Sequence, residues 1–182
     1  MSKAVIFFAP GFEECEGLIV VDLLRRAGTQ VQICAVSDEL TIKSSHGVRI
    51  VCDALAKDAD LTADAVILPG GIPGTPNLAA SETVCSAVRA FYDADKLVAA
   101  ICAAPTVLGG LGLLEGRRAT CYPGCESGLG GAEYIDAETV CDGNIITGSG
   151  LGAAIPFALE IVRYLEGPDV AEMKRKAIVY RH

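Results

Sequence analysis

Short blocks of uninterrupted apolar residues recur along the chain, separated by longer stretches in which apolar positions return every three or four residues. The blocks at 4–9, 31–36, Ala65–Leu68 and Leu97–Ile101 predict strands buried on both faces, as in a parallel sheet covered by helices. Between them, residues 15–27 carry Leu18, Val21, Leu23 and Leu24 at helical spacing and end at Gly28, a C-terminal cap. Glu82–Asp93, residues 104–114 with Pro105 in the first turn, and residues 153–165 predict further helices, and 170–176 a terminal one. Thr41–Lys43 and residues 48–52 predict an irregular hairpin, residues 118–121, 139–141 and 144–147 shorter strands, and the Gly/Pro-rich residues 69–74 a loop. No linker, charge block or repeat breaks the alternation, so residues 1–182 read as a single α/β domain.

Composition sharpens this picture. Hydrophobic residues make up 51% of the 182, yet aromatics are only 5% and tryptophan is absent, so Ala, Val, Ile and Leu must fill the core. A net charge of −8 disfavours nucleic acid and acidic membrane surfaces as partners. Lys3 and a short apolar run ahead of Glu13 and Glu14 do not make a signal peptide, which points to a cytoplasmic protein. Residues 97–114 lack charge over the length of a membrane span, but Pro105 and three glycines favour strand, turn and helix instead. The eight cysteines fall largely in apolar strand-like runs, and Cys121 and Cys125 have no second pair at zinc-site spacing, so neither disulfides nor a metal is expected.

Three segments could carry chemistry. Cys102 ends an apolar strand, is flanked by alanines and is followed at once by a helix. Small neighbours suit a tight strand-to-helix elbow that presents a nucleophile, and the positive end of a helix favours thiolate. The same pattern fits a buried cysteine in an Ala-rich strand end equally well. Glu13, Glu14 and Glu16 follow the first strand, where a parallel sheet opens its carboxyl-end crevice, although acids at a helix start also serve as caps. The glycines of the 69–74 loop could bring backbone N–H groups to an oxyanion. Residues 148–153 match G-x-G-x-x-A but fall in the last strand–helix unit, with no later strand to supply a ribose-binding acid, so no dinucleotide cofactor is expected. His46 and His182 stand in no catalytic or metal pattern and read as solvated.

Taken together, Gly-Phe-Glu-Glu-Cys-Glu-Gly at 11–17, Asp-Leu-Leu-Arg-Arg-Ala-Gly at 22–28, Leu-Pro-Gly-Gly at 68–71 with Asn77-Leu78, Ala-Ile-Cys-Ala-Ala-Pro at 100–105 and the 148–159 segment are specific. The chain resembles the DJ-one (ThiJ/PfpI) superfamily, close to its parkinsonism-associated branch, over nearly its whole length. The resemblance implies a flavodoxin-like three-layer sandwich and a homodimer. It also implies Cys102 as elbow nucleophile, Glu16 as its acid partner and oxyanion donors at Gly70, Gly71 and Ala103. Two positions depart from the family pattern: Tyr122 stands where many members place a histidine beside the cysteine, and Ala103 where protease-like branches carry one. A Cys-His protease is therefore disfavoured. Tyr122 and His46 are carried as candidate pocket residues.

The activity implied is cofactor-free conversion of a small carbonyl substrate, an α-oxoaldehyde such as methylglyoxal, to a 2-hydroxy acid. Deglycation would share its first step. The alternative is a redox-responsive protective protein or chaperone acting through oxidation of Cys102.

Overall fold

The computed structural model describes residues 1–181, so His182 lies outside the described residues. The elements in order are β1 (Lys3–Phe8), α1 (Glu14–Ala27), β2 (Gln30–Ala35), β3 (Thr41–Lys43), β4 (Arg49–Val51), β5 (Ala54–Leu55), β6 (Ala65–Leu68), α2 (Gly74–Ala80), α3 (Glu82–Asp93) and β7 (Leu97–Ile101). They continue with α4 (Pro105–Gly110), β8 (Arg118–Ala119), β9 (Glu133–Tyr134), β10 (Thr139–Asp142), β11 (Ile145–Gly148), α5 (Ala154–Glu166) and α6 (Pro168–Ala177).

The main sheet runs β10-β11-β7-β6-β1-β2-β5, and only the edge pair β10–β11 is antiparallel. Its five principal strands, β2-β1-β6-β7-β11, follow the flavodoxin order. After β1 the chain turns to β2 on one side and later to β6 on the other, and this reversal opens a crevice at the carboxyl ends of β1 and β6.

The sheet's two faces bury separate cores. Alternation along β1 sends Ile6 and Phe8 towards Leu24 of α1 and Phe157 of α5, and sends Val5 and Phe7 towards Val88 and Phe91 of α3. β6 and β7 are buried along their whole length, as their unbroken apolar runs predict. All five phenylalanines are fully buried, which makes the most of a scarce aromatic content. The Phe8 and Phe12 rings stack at 4.1 Å between centroids. A side chain on Gly17 would meet the Phe8 ring at 2.7 Å, so glycine lets α1 lie directly on that stack.

Several elements differ from the sequence-based expectation. The helix expected over 104–114 stops at Gly110, because Gly109, Gly110 and Gly112 follow in quick succession and Gly112 takes φ +75°. Residues 74–80, read as the end of a loop and its sequel, form α2, with Pro76 in the first turn where its missing N–H costs nothing. β5 and β9 are two-residue strands too short to leave a periodic trace. β8 pairs with β9 outside the main sheet. No helix among the described residues is long and apolar enough to cross a membrane.

Candidate active site

Three loops meet at the crevice. β7 delivers Cys102, the β6 exit delivers Gly70 and Gly71, and the first turn of α1 delivers Glu16.

Cys102 has φ +64°, a left-handed conformation that is strained for a residue with a side chain and marks a sharp elbow. Its backbone is held on both sides: its N–H donates to Gly148 O at 2.9 Å, and its carbonyl accepts from Tyr122 N–H at 2.8 Å. Ile101 and Ala104 beside it are fully buried, so the elbow is anchored in the core.

Glu16 is 1% exposed and hydrogen-bonds to Cys102 through its side chain. Its Oε2 accepts from Gly70 N–H at 2.9 Å. Glu13 is the N-cap of α1, its Oε2 accepting from Glu16 N–H at 2.6 Å, and this bond fixes where Glu16 points. Glu13 N–H in turn donates to Gly70 O at 2.9 Å and ties the helix start to the glycine loop. Of the three acids that spacing alone does not distinguish, Glu16, the one the resemblance implies, faces the thiol, Glu13 caps the helix and Glu14 lies to one side.

The expected oxyanion donors divide. Backbone N–H groups of Gly71 and Ala103 reach the Cys102 sulfur. Gly70 does not join them, because its N–H is committed to Glu16. Its contribution is close approach: a side chain at Gly70 would lie 2.5 Å from Cys102 Cβ and 2.7 Å from Glu16 Oε2.

Electrostatics correct the expectation of a helix-activated thiolate. α4 begins three residues beyond Cys102 and is only 6 residues long, a weak dipole source. Burial raises the thiol's pKa, and the charge and hydrogen bond of Glu16 raise it further, against the pull of the Ala103 and Gly71 N–H groups. Burial also pushes Glu16 up from its usual value to about 7. Two buried acceptors in contact must share a proton. With that proton on Glu16, the carboxylate's repulsion of a thiolate disappears and an O–H donor takes its place. Any activation of Cys102 would therefore have to come from the pair, not from the helix.

Cys102 is half-buried rather than exposed, and Cys15 is the exposed thiol. Cys121 is buried and Cys125 half-buried. Tyr122, a residue 53% exposed, reaches Cys102 through its backbone and lines a groove of about 730 Å³ with Tyr134, Asp136 and Glu138. His46 does not join the Cys102 pocket and lies instead against Glu14. Sequence reading missed this pairing because 31 residues separate Glu14 from Ser45, the next residue being His46, and no periodicity links them.

A model of the DJ-1/PfpI family matches residues 2–164. Protein dj-1beta of Drosophila melanogaster is 39% identical over 183 residues, covering 98% of both chains. A Caenorhabditis elegans protein named a glutathione-independent glyoxalase is 38% identical over 171 residues, covering 92% of this chain and 90% of that protein. Among solved structures, a cysteine-to-alanine mutant of a DJ-1 superfamily protein from Salmonella typhimurium superposes with TM-score 0.94 at 37% identity over the full length of both chains. An oxidized DJ-1 of Toxoplasma gondii superposes with TM-score 0.95 at 29% identity, again over both full chains. These matches span almost the whole chain in sequence and in fold, and the chain belongs to the DJ-1/PfpI family.

Proposed function

We propose that the protein converts small α-oxoaldehydes, with methylglyoxal as the type, to 2-hydroxy acids without a cofactor. The observation that carries this reading is the pairing of buried Glu16 with half-buried Cys102, a proton carrier and a nucleophile joined by one hydrogen bond. The name of the nematode relative supports it.

Cys102 thiolate adds to the aldehyde carbon, forming a C–S bond and an oxyanion that the N–H groups of Gly71 and Ala103 are positioned to stabilise. Protonation gives a hemithioacetal beside a ketone. Glu16, as carboxylate, removes the proton from the former aldehyde carbon and returns it to the former ketone carbon. The product is a thioester of the 2-hydroxy acid. Water then adds to the thioester, the C–S bond breaks, and Cys102 is regenerated. The sum is oxoaldehyde plus water to hydroxy acid, with no net oxidation. A pKa of about 7 suits Glu16 to both taking and giving the proton near neutrality. Deglycation of adducted amines or thiols would use the same sulfur addition.

The test is lactate formation from methylglyoxal in the absence of glutathione. Wild type should turn over, Cys102→Ser should be inactive and Glu16→Gln strongly reduced. Equal rates in all three would place the chemistry in solution.

A redox-responsive, protective role is the second reading. The same donors around Cys102 could hold the oxygens of a sulfinate, and the Toxoplasma relative is described as oxidized. Peroxide-treated wild type that protects client proteins without any turnover of methylglyoxal would favour it.

A homodimer fits the surface. Leu18, Ile19 and Leu23 of α1 with Ile155 and Ile178 line an apolar groove of about 380 Å³, suited to a second copy of the same face. Sedimentation of the wild type against Ile19→Lys tests this assembly.

A further inference from the structure

A second group of ionisable side chains lies beside α1 and has no part in the proposed reaction. His46 Nδ1 is 3.2 Å from Glu14 Oε1 and 4.0 Å from Glu13 Oε1. One donor atom from each of the three residues lies within 4.8 Å of the other two. Ser45 Oγ bridges the group, 3.2 Å from Glu14 Oε2 and 3.1 Å from His46 Nδ1.

The two segments that supply these residues are fastened together by backbone bonds. Ser45 N–H donates to Phe12 O at 2.8 Å and Gly11 N–H to Lys43 O at 2.9 Å. Glu13 is further fixed by its capping bond to Glu16, which occupies Oε2 and leaves Oε1 facing the imidazole. The donor set is therefore largely in place before any ligand arrives.

Among the described residues no lysine or arginine offsets its charge, although Glu14 hydrogen-bonds with Ser44, Ser45 and His46. The Glu13 and Glu14 side chains are only 13% and 12% exposed, and among the described residues no lysine or arginine forms an ion pair with either. Among the described residues, the sole cationic candidate against the two carboxylates is an imidazole on a side chain 72% exposed.

We propose that Glu13, Glu14 and His46 bind a borderline divalent cation, Zn²⁺ being the type. Two carboxylate oxygens and one imidazole nitrogen are a zinc donor set, and three protein ligands leave a fourth position for water. Tetrahedral bonds of 2.0–2.1 Å place ligand atoms about 3.3–3.4 Å apart. The 3.2 and 4.0 Å separations from His46 Nδ1 bracket that value and all three donor atoms lie within 4.8 Å of one another, so a turn of the exposed His46 ring with a small shift of the two carboxylates closes the site. The cation's two positive charges neutralise the two carboxylates.

The chain has only two histidines, so the imidazole NMR signals of the full-length protein give a direct readout. Titration with zinc chloride should shift the His46 signals to saturation at one equivalent. Calorimetry should show His46→Ala and Glu14→Gln each weakening that binding at least tenfold, while Cys102→Ser and the Cys121→Ser/Cys125→Ser pair leave it unchanged. Cobalt(II) at the same site should lack a thiolate-to-metal charge-transfer band. His46 signals that stay unmoved, zinc affinity that survives His46→Ala, or a thiolate band that disappears with a cysteine substitution would each overturn the assignment. His46 is exposed, so its variant keeps the fold, and the cobalt spectrum serves as an independent measurement if Glu14→Gln does not.

Discussion

Glu16 holds two bonds at once: one carboxylate oxygen accepts from the Gly70 amide at 2.9 Å while its side chain contacts the thiol of Cys102. This arrangement makes folding stability depend on pH with a definite sign. Burial raises the Glu16 pKa from 4.5 to about 7. An acid raised in the folded state holds more protons there than in the unfolded chain between those two values. Its contribution is therefore fully present below about pH 4.5 and is lost as pH rises through about 7. The stability of wild type relative to Glu16→Gln should fall by roughly 3 kcal/mol between pH 4.5 and pH 8, since each pH unit between the unfolded and folded pKa is worth about 1.4 kcal/mol. Urea unfolding of both proteins across that range measures the difference, and parallel curves would show that Glu16 keeps an ordinary pKa.

The shared proton also separates the roles of neighbouring side chains in the thiolate titration. Glu16→Gln retains a neutral N–H donor beside the sulfur, whereas Glu16→Leu offers none, so the Cys102 pKa should be higher in the leucine variant by on the order of one pH unit. Tyr122→Phe should titrate like wild type, because Tyr122 meets Cys102 only through its backbone N–H. Thiolate absorbance against pH, with Cys102→Ser subtracted, compares the three. A curve displaced by Tyr122→Phe and indifferent to residue 16 would put the proton partner on the wrong side of the thiol.

Much of this site is legible in sequence where the signal is local. The unbroken apolar runs of β6 and β7 mark strands buried on both faces, and Cys102 between a strand and a helix start marks the elbow. The acids of 13–16 are visible as a group, and it is the family resemblance, not their spacing, that picks out Glu16; the physical reason, the Glu13 cap and the Gly70 amide, is three-dimensional. Gly70 illustrates the converse: its presence in a glycine-rich loop suggests an oxyanion donor, while the fold spends its N–H on Glu16. α2 is hidden by Gly74 and Pro76, residues whose average preference is for turns but which the first turn of a helix accepts. The His46–Glu14 contact joins segments far apart in sequence and leaves no periodic trace.

Close packing at Gly70 predicts a sharp steric test. A methyl group there would sit 2.5 Å from Cys102 Cβ, 2.7 Å from Glu16 Oε2 and 3.0 Å from Ile101 O; only Glu16 Oε2 ends a flexible side chain, and it is tethered by the Gly70 amide. Gly70→Ala should destabilise the fold by about 1–3 kcal/mol, the usual range for overpacking. It should also cost at least tenfold in methylglyoxal turnover, by pushing the thiol and the carboxyl group apart. Gly110→Ala, where an added methyl meets nothing within 4 Å, is the control and should change neither. Denaturation midpoints and lactate formation report the two effects separately. Full activity in Gly70→Ala would mean that the separation of Glu16 and Cys102 is unimportant to the reaction.

Thiol reactivity should follow chemistry rather than exposure. Cys15 is the exposed cysteine, but local burial and the charges of Glu13, Glu14 and Glu16 all push its thiol pKa up, and it has no donor to hold a thiolate. Cys34, Cys52 and Cys121 are buried, with thiols pushed up to about 12, 11 and 11, mainly by burial. Cys102 is raised as well, yet it alone combines partial access with two backbone N–H groups at the sulfur and a carboxyl group that can carry the proton. Because the thiolate is the attacking species in both alkylation and peroxide oxidation, those donors should outweigh the greater exposure of Cys15. Brief treatment with iodoacetamide at neutral pH, followed by peptide mapping, should find Cys102 modified first, and limited peroxide should place sulfinate on the same residue. Glu16→Leu should slow both reactions at Cys102 and leave Cys15 labelling no slower, since removing a nearby negative charge can only help that thiol. Cys15 labelled first in wild type, at a rate untouched by Glu16→Leu, would show that access, and not the Glu16–Cys102 pair, governs reactivity in this protein.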